Sequence, residues 1–215
     1  MRESTIKAIE KEKIIVIVRG VECEKLIPLA EAMYAGGIRL LELTYSPNGS
    51  VSDEETAERI KILAEHFKGR MLIGSGTTIN KKQVELTKSA GGKFIISPDA
   101  NTDVIRKTRE FGLVSIPGAL TPTEIQAAHN AGADFVKLFP VTNLGVSYVK
   151  AVSAPLSHIK FLAVGGIDEN NMAEYLNAGV LGLGVGSNII DKKLLESNDY
   201  KGISELAKKY TEVLK

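Results

Sequence analysis

The chain has 215 residues, of which 44% are hydrophobic and 25% charged, as in an ordinary globular protein with one full-sized core. Its formal net charge of +1 offers no electrostatic attraction for nucleic acid or an anionic membrane surface. The one cysteine, Cys23, excludes an intrachain disulfide and fits a reducing cytosol. Because no signal peptide and no run of ~20 apolar residues is found, we expect a soluble, cytoplasmic protein.

Short apolar runs alternate with segments of helical periodicity along the whole chain, after a first predicted helix over residues 4–12. The predicted strands are residues 14–18, 38–43, 71–73, 93–96, 113–116, 134–138, 160–164 and 180–185. The predicted helices between and after them include residues 24–34, 54–67, 81–90, 102–111, 123–131 and 169–178. Regular alternation of this kind is typical of parallel strands joined by crossover helices.

Four of the joints between a helix and the next strand have the same sequence, alanine followed by glycine. They are Ala35-Gly36, Ala90-Gly91, Ala131-Gly132 and Ala178-Gly179. Glycine adopts a left-handed conformation at little cost, so we expect each of these glycines to end its helix in that conformation.

Eight βα units in a chain of this length predict an α/β fold, a (β/α)8 TIM barrel with an N-terminal helix. The alternative is an open doubly wound sheet, which more often carries Gly-x-Gly-x-x-Gly after its first strand. Here Arg19-Gly20-Val21 follows the first strand instead. No linker, charge block or low-complexity stretch divides the chain, so residues 1–215 are expected to form a single domain.

Three charged residues lie near the ends of predicted strands, where the active site of such a barrel is found. Lys137 lies within an apolar run, Glu42 lies near the end of the second strand, and Arg19 follows the first. Each has a simpler explanation: Lys137 as an edge lysine with its amine in solvent, Glu42 as a strand-end carboxylate, and Arg19 in a helix-facing salt bridge. A buried lysine, by contrast, lowers its pKa and becomes a nucleophile able to form a Schiff base. Because all three fall at one end of the barrel, we favour an active site.

Glycine pairs follow the seventh and eighth predicted strands and indicate a second site. Val164-Gly165-Gly166 and Gly184-Val185-Gly186-Ser187 place backbone amides and one hydroxyl near predicted helix starts. Such groups bind phosphate, although glycines also serve tight turns. We therefore predict a phosphorylated ligand. The three histidines, His66, His129 and His158, have no metal-ligand spacing, so no metal site is predicted.

In these motifs the chain resembles the 2-keto-3-deoxy-6-phosphogluconate (KDPG) aldolase / 4-hydroxy-2-oxoglutarate (KHG) aldolase family. The resemblance extends from about residue 14 to 190. The matching motifs are Ile15 to Gly20, Ala35 to Thr44, Ile73 to Thr77, Ile96-Ser97-Pro98, Ile116-Pro117-Gly118, Val136 to Pro140 and the two glycine motifs.

The resemblance implies a class I aldolase that needs no cofactor and cleaves a 2-keto acid to pyruvate and an aldehyde. Lys137 would form the Schiff base with the substrate and Glu42 would be the general acid/base. The substrate-binding residues would be Arg19 and Thr77 on the carboxylate, Pro98 and Phe139 beside the imine, and Gly165, Gly166 and Ser187 on the phosphate. The family also implies a small phosphorylated 2-keto acid as ligand, a homo-oligomer such as a trimer, and a place in the Entner-Doudoroff pathway.

Two positions depart from the gluconate-type pattern and leave the substrate open. Ser46 stands where those enzymes usually have arginine, and Val164 stands where they have threonine. Both are closer to the galactonate-type relatives, which act on the C4 epimer, and loss of the cation would also suit the unphosphorylated 4-hydroxy-2-oxoglutarate. From other classes, a phosphosugar isomerase or synthase, or a non-catalytic phosphosugar-binding barrel, would share the phosphate site without forming an imine.

Overall fold

The computed structural model describes residues 1–214, which form one sheet of nine parallel strands surrounded by helices. The strands are β1 (Ile14–Val18), β2 (Leu40–Thr44), β3 (Leu72–Gly76), β4 (Phe94–Ile96), β5 (Val114–Ile116), β6 (Gly118–Ala119), β7 (Val136–Leu138), β8 (Phe161–Val164) and β9 (Gly182–Val185). The helices are α1 (Arg2–Glu12), α2 (Cys23–Ala35), α3 (Asp53–His66), α4 (Lys81–Ser89), α5 (Thr102–Glu110), α6 (Pro122–Asn130), α7 (Gly145–Ser153), α8 (Met172–Asn177), α9 (Lys192–Glu196) and α10 (Tyr200–Glu212).

The two ends of the sheet meet and close a barrel. The strand order is β5-β4-β3-β2-β1-β9-β8-β7-β6, and β5 and β6 are separated only by Pro117. The amide of Lys137 donates to the carbonyl of Pro117 at 2.8 Å, and that of Phe135 donates to Ser115 at 3.2 Å. β5 and β6 are thus the two halves of one interrupted barrel strand, with a proline, which lacks an N–H, at the break. The predicted TIM barrel is confirmed, and the open doubly wound sheet is wrong.

Helix α1 covers the amino-terminal end of the barrel. Its Ile9 is fully buried in a cluster with interior residues of several strands, among them Ile15, Leu40 and Phe94. At the same end the buried carboxylate of Asp134 accepts hydrogen bonds from the guanidinium of Arg2 at 2.7 Å. The amino end is therefore filled with side chains, which leaves the carboxyl end as the open face of the barrel.

Three of the four alanine-glycine joints have the expected backbone conformation. Gly91, Gly132 and Gly179 have φ angles of +86°, +104° and +101° and follow α4, α6 and α8. The prediction is wrong for Gly36, whose φ is −75°, and the left-handed residue there is Gly37 at +97°. Gly36 is fixed instead by packing, because a Cβ at this position would come within 2.7 Å of the carbonyl oxygen of Ser204 in α10.

Within residues 1–214, no helix combines the length and the apolar character that a membrane span requires.

Candidate active site

Lys137 is the middle residue of β7, between Val136 and Leu138 on a strand that is buried throughout. Only 7% of the residue is exposed, so its amine is not in solvent, and the simpler interpretation as an edge lysine is wrong. Burial lowers the pKa of the Lys137 ammonium; Glu42 opposes this shift, and the positive charge of Arg19 adds to it. The Lys137 Nζ lies 4.4 Å from the centre of the Phe139 ring. Such surroundings increase the neutral, nucleophilic fraction of the amine.

Glu42 is the central residue of β2 and is only 2% exposed. Burial raises the pKa of its carboxyl to about 7, against the opposing charges of Lys137 and Arg19. Among the described residues, no hydrogen-bond donor or acceptor contacts its Oε2 atom. A carboxyl group with a pKa near neutrality and a free oxygen is suited to giving and taking protons at physiological pH.

The space for the Glu42 carboxyl is provided by Gly76, the last residue of β3. A Cβ at position 76 would overlap the Oε1 and Cδ atoms of Glu42, so any side chain there would displace the Glu42 carboxyl. Thr44 of β2 pairs with Gly76 of β3, which places the end of β3 beside the glutamate. This role of Gly76 could not be predicted from the sequence, because clearance between two neighbouring strands leaves no sequence motif.

Arg19 and Thr77 come together directly after β1 and β3. The Arg19 Nη2 atom donates to the Thr77 Oγ1 atom at 3.3 Å. Thr77 has a φ of +54°, which is uncommon for a β-branched residue and carries strain. The exposed guanidinium of Arg19 and the adjacent hydroxyl form a donor pair suited to a carboxylate.

A cavity of about 680 Å³ opens between the ends of β1, β8 and β9. Its lining includes five of the predicted site residues, namely Arg19, Phe139, Gly165, Gly166 and Ser187. Gly165 and Gly166 have φ angles of +101° and +72°, so both belong to a left-handed turn after β8. The cavity extends from the Arg19 side of the barrel to the glycine turns, and its size suits a small molecule.

The glycine turns do not lie at helix starts, contrary to prediction. Helix α8 begins only at Met172 and α9 only at Lys192, and both are short. The turns are fixed by side chains instead: Asn171 Nδ2 donates to the Gly166 carbonyl, and Asn188 Nδ2 donates to the Ile167 carbonyl, each at 2.9 Å. An anion at this place would be bound by backbone amides of the turns and by Ser187 rather than by a helix dipole.

The two residues predicted to lie beside the imine differ in their surroundings. Phe139 is 38% exposed, lines the cavity and contacts the Lys137 amine with its ring. Pro98 is exposed after β4, and its backbone carbonyl packs so closely on Gly118 that a Cβ there would overlap it. Phe139 thus contacts the amine, whereas Pro98 packs against the β6 backbone.

Several other residues that line the cavity were not predicted from the sequence. They are Val21 and Glu22 after β1, Lys25 in the first turn of α2, and Lys192, Leu195 and Glu196 of α9. The amine of Lys25 lies 3.4 Å from the Leu195 carbonyl oxygen, so the two segments touch. Charged residues on helix surfaces have no distinctive sequence pattern. The sequence alone therefore could not show that these residues line the cavity.

The two residues that depart from the gluconate-type pattern line different cavities. Val164 lines the large cavity, whereas Ser46 lines a neighbouring cavity of about 340 Å³ that shares Arg19, Gly20 and Val21 with the first. The Ser46 hydroxyl donates to Asn48 Oδ1 at 2.7 Å. Across residues 1–214, no three His, Cys, Asp or Glu side chains form a group that could hold a metal ion.

A parallel barrel that carries a buried lysine and a buried carboxyl of raised pKa on its strands has the fold and the kind of ionisable groups found in many barrel enzymes. Comparison with known proteins identifies the family. The model of the KDPG and KHG aldolase family matches residues 5–206, and the chain belongs to that family.

Curated relatives include aldolases of two kinds. A 2-dehydro-3-deoxy-phosphogluconate aldolase of Treponema pallidum is 30% identical over 97% of this chain and 96% of its own length. A probable 2-dehydro-3-deoxy-6-phosphogalactonate aldolase of Rhizobium meliloti is 34% identical over 82% of this chain and 81% of its own.

Among solved structures, the KDPG aldolase of Legionella pneumophila, with pyruvate captured as a covalent carbinolamine intermediate, superimposes with a TM-score of 0.84. It is 29% identical, and the match covers 94% of this chain and 96% of that one.

Proposed function

We propose that this protein is a class I aldolase that cleaves 2-keto-3-deoxy-6-phosphogluconate, 4-hydroxy-2-oxoglutarate or both through a Schiff base on Lys137. The products would be pyruvate and an aldehyde, either glyceraldehyde 3-phosphate or glyoxylate. The observation that carries the proposal is the buried pair of Lys137 and Glu42, in which the lysine pKa is lowered and the carboxyl pKa is raised to about 7. Family membership and the carbinolamine in the Legionella pneumophila relative support it.

The first half of the reaction uses the neutral amine of Lys137. Its nitrogen attacks the C2 ketone to form a carbinolamine, and protonated Glu42 gives a proton to the departing hydroxyl, which leaves as water. Meanwhile Arg19 and Thr77, which lie side by side, hold the substrate carboxylate by charge-assisted hydrogen bonds. This half-reaction also works with pyruvate alone.

The second half breaks the C3–C4 bond. Deprotonated Glu42 takes the proton of the C4 hydroxyl, directly or through water, and the bonding electrons move into the iminium. The aldehyde leaves, and the enamine that remains takes a proton at C3 and is hydrolysed to pyruvate and free Lys137. A carboxyl with a pKa of about 7 is present in both required forms near neutral pH. The iminium is the electron sink, so the proposal includes no cofactor.

The galactonate epimer is the second candidate substrate. Ser46 and Val164 support it, as does the similarity to the aldolases named for the phosphogalactonate substrate. Measuring kcat/KM for the two C4 epimers and for 4-hydroxy-2-oxoglutarate ranks the three substrates directly.

Borohydride reduction in the presence of pyruvate, followed by peptide mass spectrometry, tests the mechanism. We expect a reduced pyruvyl adduct on the peptide that contains Lys137, and none on the other lysines. Folded protein that cleaves a substrate without forming this adduct would overturn the imine mechanism and favour an isomerase-like or binding role for the barrel.

A further inference from the structure

Four buried hydroxyl groups lie behind the turn that carries Thr77. We call Tyr45, Ser75, Thr78 and Thr87 the hydroxyl cluster. Each is at most 1% exposed. The hydroxyls of Ser75 and Thr78, of Thr87 and Ser75, and of Tyr45 and Thr87 are each 2.9 Å apart, so they form a continuous chain. Burying a hydroxyl costs free energy unless it is hydrogen-bonded, whereas burying an apolar side chain does not. A chain in which every hydroxyl is hydrogen-bonded holds the surrounding backbone in one conformation.

The cluster closes the turn at the end of β3. The bond between Ser75 and Thr78 spans Gly76 and Thr77, and the Thr78 amide also donates to the Ile96 carbonyl at 3.2 Å. Thr77 is strained at a φ of +54°, a conformation that persists only when its surroundings enforce it. Thr77 is the residue whose hydroxyl pairs with Arg19, and Gly76 provides the space for the Glu42 carboxyl.

Thr87 connects this turn to the body of the protein. It lies on α4, and its hydroxyl also approaches the Gln83 carbonyl at 2.8 Å. The Tyr45 hydroxyl approaches the same carbonyl at 3.0 Å, and the Tyr45 amide donates to the Gly76 carbonyl at 2.8 Å. The turn is therefore held from two sides, by α4 and by the residue that follows β2.

We propose that the hydroxyl cluster positions the Gly76-Thr77 turn for binding of the substrate carboxylate, with Thr87 as its main positioning residue. The inference rests on the proposed function, because it gives Thr77 a substrate group to bind. Without the Thr87 hydroxyl, Ser75 and Thr78 lose their connection to α4 and the strained turn relaxes. Thr77 then no longer presents its hydroxyl beside Arg19, and binding of the keto acid weakens.

A matched control exists on the next helix. Thr108 of α5 is also fully buried, and its hydroxyl donates to the carbonyl four residues earlier at 2.7 Å, as Thr87 does at 2.8 Å. Thr87 differs in contacting the Ser75 and Tyr45 hydroxyls as well. Comparing Thr87→Val with Thr108→Val therefore separates the loss of the cluster from the loss of a buried helical hydroxyl.

The experiment measures borohydride trapping of the pyruvyl adduct at increasing pyruvate concentration in wild type, Thr87→Val, Thr87→Ser and Thr108→Val. We expect Thr87→Val to raise the half-saturating pyruvate concentration about five- to tenfold, with the maximal trapping rate within about twofold of wild type. Thr87→Ser keeps the hydroxyl and should stay near wild type, as should Thr108→Val. If Thr87→Val does not fold, Tyr45→Phe carries the test, with an increase of about threefold expected.

Equal half-saturating pyruvate concentrations in Thr87→Val and Thr108→Val would overturn this inference but leave the proposed function standing. So would a Thr87→Ser variant as impaired as Thr87→Val, because volume rather than the hydroxyl would then matter. Absence of any adduct in the wild type would overturn the proposed function, and this inference with it.

Discussion

The two ends of the candidate site are built in opposite ways. At one end, Glu42 and Lys137 are charged side chains in the middle of strands, 2% and 7% exposed. At the other end, Gly166 and Ser187 are exposed in turns that follow β8 and β9. The two proposed reacting groups thus lie in a low-dielectric interior that shifts their pKa values, whereas the distal end presents backbone and one hydroxyl to solvent.

This difference separates the chemistry from the choice of substrate. Strand register fixes the reacting pair: Lys137 pairs with Gly118 and Leu162, and Glu42 pairs with Ile17 and Gly74. The distal turns have no such ladder and depend on left-handed glycines and asparagine side chains. We therefore expect substitutions at the reacting end to change turnover, and those at the distal end to change KM.

Lys137→Arg tests the reacting end and has the largest expected effect. A guanidinium stays protonated and cannot form an imine, so cleavage should fall by at least about 1,000-fold, as it should in Lys137→Ala. Lys160→Arg is the matched control, because Lys160 lies at the amino end of the barrel and pairs with Glu10 at 2.7 Å. Steady-state kinetics with circular dichroism checks both, and appreciable cleavage by Lys137→Arg would contradict the imine mechanism.

Glu42→Gln tests the role and the raised pKa of the Glu42 carboxyl, the first by its effect on turnover and the second by its effect on the pH dependence of stability. Turnover should fall about 100-fold, because the amide cannot exchange the proton. The pKa of about 7 in the folded state exceeds the ordinary glutamate pKa of 4.5, so the folded state binds more protons between these pH values, and stability decreases as pH rises through this window. The wild type should lose about 3 kcal/mol of unfolding free energy between pH 4.5 and 7 from this group alone.

Urea unfolding at pH 5 and at pH 7.5 measures this contribution. The glutamine variant lacks the titrating group, so the difference in stability between the two proteins should grow in favour of the variant as pH rises. A constant difference across this range would show that the Glu42 pKa is not raised by folding, and the general acid/base role would lose its basis.

The sequence revealed the two buried ionisable residues but not the contacts that surround them, for a physical reason. A lysine within an apolar strand and a glutamate in the next buried run are exceptions to hydrophobic patterning, so Lys137 and Glu42 are visible without a structure. Gly76 and Thr87 are not, because their roles arise from contacts between elements distant in sequence. The unexpected conformation of Gly36 has the same origin, since its packing against α10 fixes it.

The boundaries of the strands and helices were also predicted only in part. Most strand ends were predicted within two residues, but the predicted strand 71–73 stops three residues before the end of β3 at Gly76, where small residues replace the apolar ones. The predicted helix over residues 169–178 begins only at Met172. The preceding residues form a turn in which the Asp168 carboxylate accepts from the Asn170 and Asn171 amides at 2.9 and 3.0 Å. Asparagine and aspartate compete with the helix through such local bonds. The break at Pro117 likewise produced a ninth strand that apolar patterning did not predict.

Ser187→Ala tests the distal end and has the smallest expected effect. If Ser187 helps bind the phosphate, losing its hydroxyl should raise KM for 2-keto-3-deoxy-6-phosphogluconate about five- to tenfold and leave kcat within about twofold. Trapping of the pyruvyl adduct should not change, because pyruvate has no phosphate for Ser187 to bind. Ser197→Ala is the control, since the Ser197 hydroxyl bonds the Lys193 carbonyl at the end of α9.

The unphosphorylated substrate sharpens the same prediction. Because 4-hydroxy-2-oxoglutarate has no phosphate, its KM should be the same in Ser187→Ala and in wild type. Comparing the change in KM for the phosphorylated substrate with the change for this one isolates the phosphate contact. An increase in KM for both substrates would mean that Ser187 acts on the shape of the whole cavity. No increase for either would place the phosphate elsewhere, and the neighbouring cavity beside Ser46, which shares Arg19 with the first, would become the place to look.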